Sequence, residues 1–294
     1  MTPRIGILGG TGHIAQVLAP MLAREGEVLL YSRTPPASAM QENLRHLPLA
    51  DFGKIPLDLA VNAIGVGDPR KIRAAGDEIH AVTRHFDSLV LEHLGHAVSS
   101  YVFLSSVAVY GEQVAFPVDP DSLKNASTPA RSAYGAAKFE AEQRHERHGG
   151  PITDLRIFGF VSPLLPPEGG FLLTEIFRPL RNNVPFFPKG PDFYRDYIGP
   201  RSLADFLTSR LATGFLNQRI DAVSRQPLSR NTLLKDLRDW LGLEIREDHG
   251  VISPSLPPLP SASLMNSCFG RENSETSLEN VQAALHAILS QKTP

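Results

Sequence analysis

The chain's 294 residues suit one large domain or two ordinary ones, and 42% apolar residues supply a substantial core. Its 29 Lys and Arg against 31 Asp and Glu leave a net charge of −2, without the basic excess that nucleic-acid or anionic-membrane binding needs. The single cysteine, Cys268, excludes an intrachain disulfide and a cysteine-based zinc site, and no 18-residue apolar run or secretory pattern is present, so a soluble cytoplasmic protein is expected.

The first half alternates short apolar runs with helical patterns. Residues 4–8, 27–32, 57–64, 101–106 and 152–158 read as strands, the last closing the series. Between the first two, Ile14, Val17, Leu18, Met21 and Leu22 repeat at helical spacing, with Pro20 predicting a kink. Residues 77–94 and 131–148 form two further apolar-faced helices, the second ended by Gly149-Gly150-Pro151. Such alternation implies an α/β fold, a doubly wound parallel sheet of Rossmann type. The second half holds 15 of the 25 prolines and reads as loop-rich. Helices are expected at 171–181, 202–213, 229–241 and 278–289, with Thr276 and Glu279 spaced as a capping box. Trp240 joins the apolar face of Leu233, Leu234 and Leu237, and the proline-rich stretch 253–263 reads as an extended connector. The expected organisation is a dinucleotide-binding domain, 1–158, and a smaller substrate-binding region, 159–294, partly interleaved with it.

The segment Ile7-Leu8-Gly9-Gly10-Thr11-Gly12-His13-Ile14-Ala15 places glycines at the first strand–helix junction. There they permit a tight turn and let backbone N–H groups reach a pyrophosphate at the helix N-terminus. Gly10-x-Gly12-x-x-Ala15 fits the dinucleotide fingerprint with its permitted final Ala. An acidic residue at the end of the second strand would hold the ribose hydroxyls of NAD. Tyr31-Ser32-Arg33-Thr34 stands there instead, so Arg33 and Ser32 are placed to meet the 2′-phosphate of NADP, and NADP is favoured over NAD. The bland alternative is a solvated arginine.

Tyr134-Gly-Ala-Ala-Lys138 puts a phenol and an ammonium on one helix face. A nearby cation stabilises the phenolate, so such a tyrosine can take a proton from a substrate hydroxyl or return one to a carbonyl. The Tyr-x-x-x-Lys pattern alone is common by chance, and its company decides. Ser105-Ser106-Val-Ala-Val-Tyr110-Gly111 supplies hydroxyls at the C-terminal end of a strand, the edge where open α/β sheets bind ligands.

Together these segments resemble the extended short-chain dehydrogenase/reductase family, in its NAD-dependent epimerase/dehydratase branch. The glycine turn, Asn62-Ala63-Ile64-Gly65, the Ser106 segment, Ser132-Ala-Tyr134-Gly-Ala-Ala-Lys138 with Glu140 or Glu142 downstream, Leu155-Arg156-Ile-Phe158 and Arg195-Asp196-Tyr197-Ile198 follow the family's order over residues 4–210. The resemblance implies that Tyr134 is the acid/base, that Lys138 lowers its pKa and holds the nicotinamide ribose, and that Ser106 hydrogen-bonds the reacting oxygen. It implies cofactor contacts from Gly9, Gly10, Thr11, Gly12, His13, Ile14, Asn62, Ala63, Ile64 and Gly65, substrate contact from Arg195, and a homodimer through the helices 77–94 and 131–148. The expected substrate is a sugar nucleotide or related polyhydroxylated carbonyl compound, handled by an epimerase or a reductase. A protein that senses NADP without turnover is the alternative from another class. Two segments depart from the family: Gly159 stands where sugar-nucleotide enzymes carry an Asn that helps hold the diphosphate, and Gly199-Pro200-Arg201-Ser202 replaces the end of the Arg-Asp-Tyr-Ile landmark. Ser106-Val107-Ala108 also lacks the acid pair a dehydratase uses. Arg178, Arg181 and Lys189 read as a solvated basic face. His80 reads as a partly buried helix residue, and the His93/His96 and His145/His148 pairs as solvated helix-end histidines rather than metal ligands.

Overall fold

A computed structural model describes residues 2–36, 42–65, 68–76, 78–111, 131–246 and 275–290. The first half runs β1 (Arg4–Leu8), α1 (His13–Leu22), β2 (Glu27–Ser32), β3 (Leu44–Pro48), β4 (Leu59–Asn62), α2 (Pro69–Ala75), α3 (Glu78–His93), β5 (Tyr101–Ser106), α4 (Ala133–His148) and β6 (Ile152–Ile157). It continues with α5 (Leu172–Asn182), β7 (Tyr194–Arg195), α6 (Pro200–Thr213), β8 (Gln218–Ala222), β9 (Leu228–Ser229), α7 (Arg230–Leu241) and α8 (Ser277–Ser290).

Seven strands form one parallel sheet in the order β3-β2-β1-β4-β5-β6-β8, the doubly wound architecture expected. Strand order reverses between β1 and β4, so the crevice beyond their C-terminal ends is the natural ligand site. Each face carries its own core. Ile5, Ile7, Leu18, Leu22 and Leu30 pack with Leu203, Phe206 and Leu207 of α6 on one side. Leu8, Leu29, Tyr31, Val90, Tyr101 and Phe103 fill the other, under α3 and α4. A third cluster joins α5, α7 and α8 through Leu173, Ile176, Leu233, Leu237, Val281 and Leu285.

The sheet does not end at β6. β8, from the second half, pairs with β6 along Thr153↔Gln218 to Ile157↔Ala222, and β3 forms the opposite edge. Neither carries a continuous apolar run, because edge strands Leu-Arg-His-Leu-Pro and Gln-Arg-Ile-Asp-Ala expose polar positions to solvent. α1 runs through Pro20 and closes two residues later at Leu22. The Thr276–Glu279 capping box forms, with Glu279 Oε2 accepting from the Thr276 N–H at 2.7 Å and Thr276 Oγ1 from the Glu279 N–H at 3.2 Å. Trp240 is not in the core. It is 42% exposed, because the buried stripe of α7, Arg230, Leu233, Leu234 and Leu237, stops before the last turn, where Trp240 lies beside the Gly242 cap. Cys268, residue 77 and the 253–263 connector lie outside the described residues. No described helix is long and apolar enough to cross a membrane.

Candidate active site and cofactor crevice

The glycine turn is built by backbone alone. Gly9 sits at φ 88°, and the N–H groups of Gly9 and Gly10 both donate to the Tyr31 carbonyl of β2, at 2.9 and 3.2 Å. A β-carbon on Gly9 would stand 3.1 Å from the Ile64 nitrogen, so the turn and the loop after β4 touch only because this residue is glycine. Gly12 caps α1 without a side-chain bond, leaving the first-turn N–H groups to an anion. The turn therefore fits a dinucleotide pyrophosphate. His13 points its side chain elsewhere: Nε2 lies 2.6 Å from Ser162 Oγ and the ring packs edge-on to Phe160. Burial pushes its pKa down to about 4, so the ring is neutral and brings no positive charge to a phosphate.

At the end of β2, Ser32 is buried and its Oγ donates to the Thr34 carbonyl at 2.6 Å, while His46 Nε2 lies 3.1 Å from that oxygen. The hydroxyl proton is thus already used, and Arg33, exposed beside it, is the cation available to a 2′-phosphate. His46, from the unanticipated strand β3, is a polar neighbour that sequence spacing could not reveal.

The loop after β4 is tied from both sides. Asn62 is buried, its Oδ1 accepting from the Ile64 N–H at 3.0 Å and its Nδ2 donating to Tyr101 Oη at 3.1 Å. Ala63 donates its N–H to the Leu8 carbonyl at 3.0 Å. A β-carbon on Gly65 would lie 3.5 Å from Lys138 Nζ, so this loop bridges the glycine turn and the lysine.

Ser106, Tyr134 and Lys138 converge at the end of β5. Ser106 closes the strand and caps a 3-10 turn, Val107–Tyr110, its Oγ accepting from the Ala108 N–H at 3.2 Å. The Ser106 hydroxyl lies close enough to the Tyr134 phenol to favour its ionised form. Gly135 permits this approach, since a β-carbon there would come within 2.3 Å of the Ala108 carbonyl oxygen. Lys138 is 2% exposed and donates to the Leu104 carbonyl at 2.7 Å, with Nζ 5.8 Å from the Tyr134 ring centroid. Burial pushes its pKa down to about 8, against the upward pull of Asp87, Asp154 and Glu142. Burial also raises the Tyr134 phenol above its ordinary value, with the Ser106 hydrogen bond pulling the other way. The lowering expected from Lys138 is therefore not present in the protein alone, where the ammonium is turned to Leu104.

Other sequence-selected residues sort by environment. Glu142, not Glu140, is the interior acid: it accepts from Ser105 Oγ at 2.6 Å and from Arg156 Nη2 at 2.6 Å, whereas Glu140 lies 3.5 Å from His80 and Arg84 at the surface. Arg195 is exposed on β7, its guanidinium stacked over Phe193 at 4.3 Å and donating to the Tyr194 carbonyl. Arg178 pairs with Glu168 at 3.4 Å, and Arg181 and Lys189 are exposed. His145 is not solvated but 1% exposed between Asp87 and Asp154, because its helix face is turned to the sheet. Gly159 has no room for a side chain: a β-carbon would stand 2.4 Å from the Asp196 carbonyl oxygen and 2.8 Å from the Tyr197 ring.

No curated protein matches the chain. Among solved structures, a UDP-glucuronic acid 4-epimerase from Bacillus cereus, in complex with UDP-glucuronic acid and NAD, superposes with a TM-score of 0.76 at 16% identity, covering 98% of this chain and 99% of that one. A UDP-N-acetylglucosamine 4-epimerase from Methanobrevibacter ruminantium gives 0.73 at 18% identity over 98% and 99%. A UDP-glucose 4-epimerase from Thermotoga maritima gives 0.74 at 14% over 99% and 100%. These likenesses establish the shared fold. The model of the NAD-dependent epimerase/dehydratase family matches residues 5–185, which include the glycine turn, Ser106, Tyr134 and Lys138, and the chain belongs to that enzyme family.

Proposed function

We propose that this protein is an NAD(P)-dependent oxidoreductase or epimerase acting on a sugar nucleotide or related polyhydroxylated carbonyl compound. The observation that carries the reading is the packing of α4, with Tyr134 and Lys138, against the turn that Ser106 caps at the end of β5, Lys138 lying 5.8 Å from the Tyr134 ring and beside Gly65 of the cofactor loop. The sugar-nucleotide class is drawn from the 4-epimerases that share the fold over nearly their whole length.

When bound, the nicotinamide supplies a carbon that takes up or returns a hydride. The chain's own groups handle the proton. Tyr134, held protonated by burial, is ready to donate to a carbonyl oxygen, and Ser106 orients that oxygen through its hydroxyl. In the oxidative direction Tyr134 Oη takes the substrate's hydroxyl proton, which requires its phenolate to be stabilised. Lys138, one helical turn on, would supply the stabilising charge and would hold the nicotinamide ribose of a bound cofactor. Arg33 favours NADP through its 2′-phosphate, and α3 and α4 are the faces through which two copies would pair.

A reductase of a non-sugar carbonyl compound is the second reading. It is favoured by Gly159, where backbone fills the space in which sugar-nucleotide enzymes place their diphosphate-holding Asn. The experiment has two arms. Nucleotide released on denaturing the purified protein is identified: retained oxidised cofactor supports an epimerase, and none supports a reductase that exchanges cofactor. Tyr134→Phe is then assayed against UDP-sugars and simple carbonyl compounds. A loss of about 10²-fold or more in turnover is expected, and unchanged turnover overturns the assignment.

A further inference from the structure

A buried charge cluster behind the cofactor loop takes no part in the proton and hydride chemistry. His145 of α4 places Nε2 2.6 Å from Asp87 Oδ1 of α3, and Nδ1 on Asp154 Oδ1 of β6. Arg144 donates twice to Asp87 Oδ2, at 2.9 and 2.7 Å. Two acids, Asp87 and Asp154, thus meet a histidine and an arginine in the interior. Burying such a set is a poor route to stability, because apolar residues of similar volume hold a core at least as well. Its cost invites another explanation.

One side chain leads from the cluster toward the loop after β4. Tyr101 donates its hydroxyl proton to Asp87 Oδ1 at 3.1 Å and accepts from Asn62 Nδ2 at 3.1 Å. Every bond in this chain has a forced direction. An ionised Asp87 can only accept, so the Tyr101 proton points to it and the phenolic lone pair faces Asn62. The Asn62 amide must then present its NH₂ to Tyr101 and its Oδ1 to the Ile64 N–H, 3.0 Å away. That last bond shapes residues 62–65, which lie against Gly9 on one side and Lys138 on the other.

We propose that the Asp87–His145–Asp154 cluster is a positioning device for the cofactor, acting through the Tyr101 hydroxyl to fix the amide of Asn62 and with it the loop 62–65. The proposal rests on the dinucleotide reading of that loop and names Tyr101, Asp87 and His145 as positioning residues that touch neither cofactor nor substrate.

Tyr101→Phe tests it by removing one oxygen while leaving His145 both carboxylates and Asp87 its bonds to His145 and Arg144. NAD⁺ and NADP⁺ are titrated calorimetrically against wild type, Tyr101→Phe, Asn62→Ala and the double variant, with Tm measured on the same samples. The expected result is a 5- to 10-fold weaker Kd for both dinucleotides in Tyr101→Phe. Adding Tyr101→Phe to Asn62→Ala should then change Kd by less than twofold, because both break one path. A lower Tm with unchanged Kd, or effects that multiply in the double variant, overturns the proposal. Wild type that binds neither dinucleotide overturns the cofactor reading itself, a result distinct from both.

Discussion

Ser105 donates its hydroxyl proton to Glu142 across 2.6 Å, joining the residue before Ser106 to the helix that carries Tyr134 and Lys138. Glu142 also accepts from Arg156 Nε at 3.0 Å and Nη2 at 2.6 Å, and Arg156 Nη1 donates to Tyr110 Oη, which in turn donates to Asp221. One buried carboxylate thus fastens β5, β6 and α4 around the hydroxyl pair. Glu142→Ala leaves the Arg156 guanidinium without its principal partner in a dry interior, at a cost of about 3–5 kcal/mol. Chemical denaturation should read that loss. A change under 1 kcal/mol would show that Asp221, 3.7 Å from Arg156, already carries the charge.

His145 makes stability depend on pH in a direction opposite to that of a typical buried histidine. Burial lowers its pKa, but hydrogen bonds and charge from Asp154 and Asp87 outweigh that and raise it from 6.5 to about 9. The folded state therefore holds the proton more tightly than the unfolded chain. Its contribution is complete below pH 6.5 and lost as pH rises through 9. Lys138, pushed down from 10.5 to about 8, works with the opposite sign, but only above pH 8. Between pH 6.5 and 8 this histidine dominates over the smaller, opposite contribution of His13, and unfolding free energy should fall there by about 1–2 kcal/mol. His145→Gln should flatten the slope, and an equal slope in that variant would assign it to another group.

Arg33 gives the cofactor preference a direct test. Its guanidinium is exposed beside a buried Ser32 whose proton is committed to the Thr34 carbonyl, so the 2′-phosphate of NADP would meet the arginine first. Arg33→Ala should weaken NADP⁺ binding about 10-fold, as expected for a charge-assisted hydrogen bond worth about 1.5 kcal/mol, and leave NAD⁺ within twofold. Tighter binding of NAD⁺ than NADP⁺ by the unchanged protein would defeat the preference.

The regular part of this molecule was readable because its signals are local. β1, β2 and β5 are apolar runs whose bounds match the spacing, and the glycine turn declares itself at the first strand–helix junction. β3 and β8 were missed for the reason that makes them edges: Arg45, His46, Gln218 and Arg219 interrupt any apolar run. The side chains that converge from distant segments were the least legible. Nothing in residues 87, 145 and 154 taken separately announces a buried ion cluster, since each looks like a surface charge until α3, α4 and β6 bring them together. Trp240 fails in the other direction, because helical periodicity marks a face but not where that face stops.

Gly159 is the position at which fold and substrate come closest to conflict. Val161 N–H donates to the Ile198 carbonyl at 3.1 Å and Ile198 N–H to the Gly159 carbonyl at 3.0 Å, drawing the strand-like segment 196–198 against the chain after β6. Asp196 anchors that segment, accepting from the N–H and Oγ of Ser224, both at 2.8 Å. Restoring the family's side chain with Gly159→Asn therefore places a β-carbon 2.4 Å from a backbone oxygen that cannot swing aside. The variant should lose about 1–3 kcal/mol of stability to overpacking and gain no affinity for UDP. Gly159→Ala should lose a comparable amount, which assigns the cost to the β-carbon and not to the amide. A stable Gly159→Asn protein that binds UDP more tightly than wild type would instead show that the 196–198 segment yields, and would remove the one observation that favours the reductase of a non-sugar carbonyl compound.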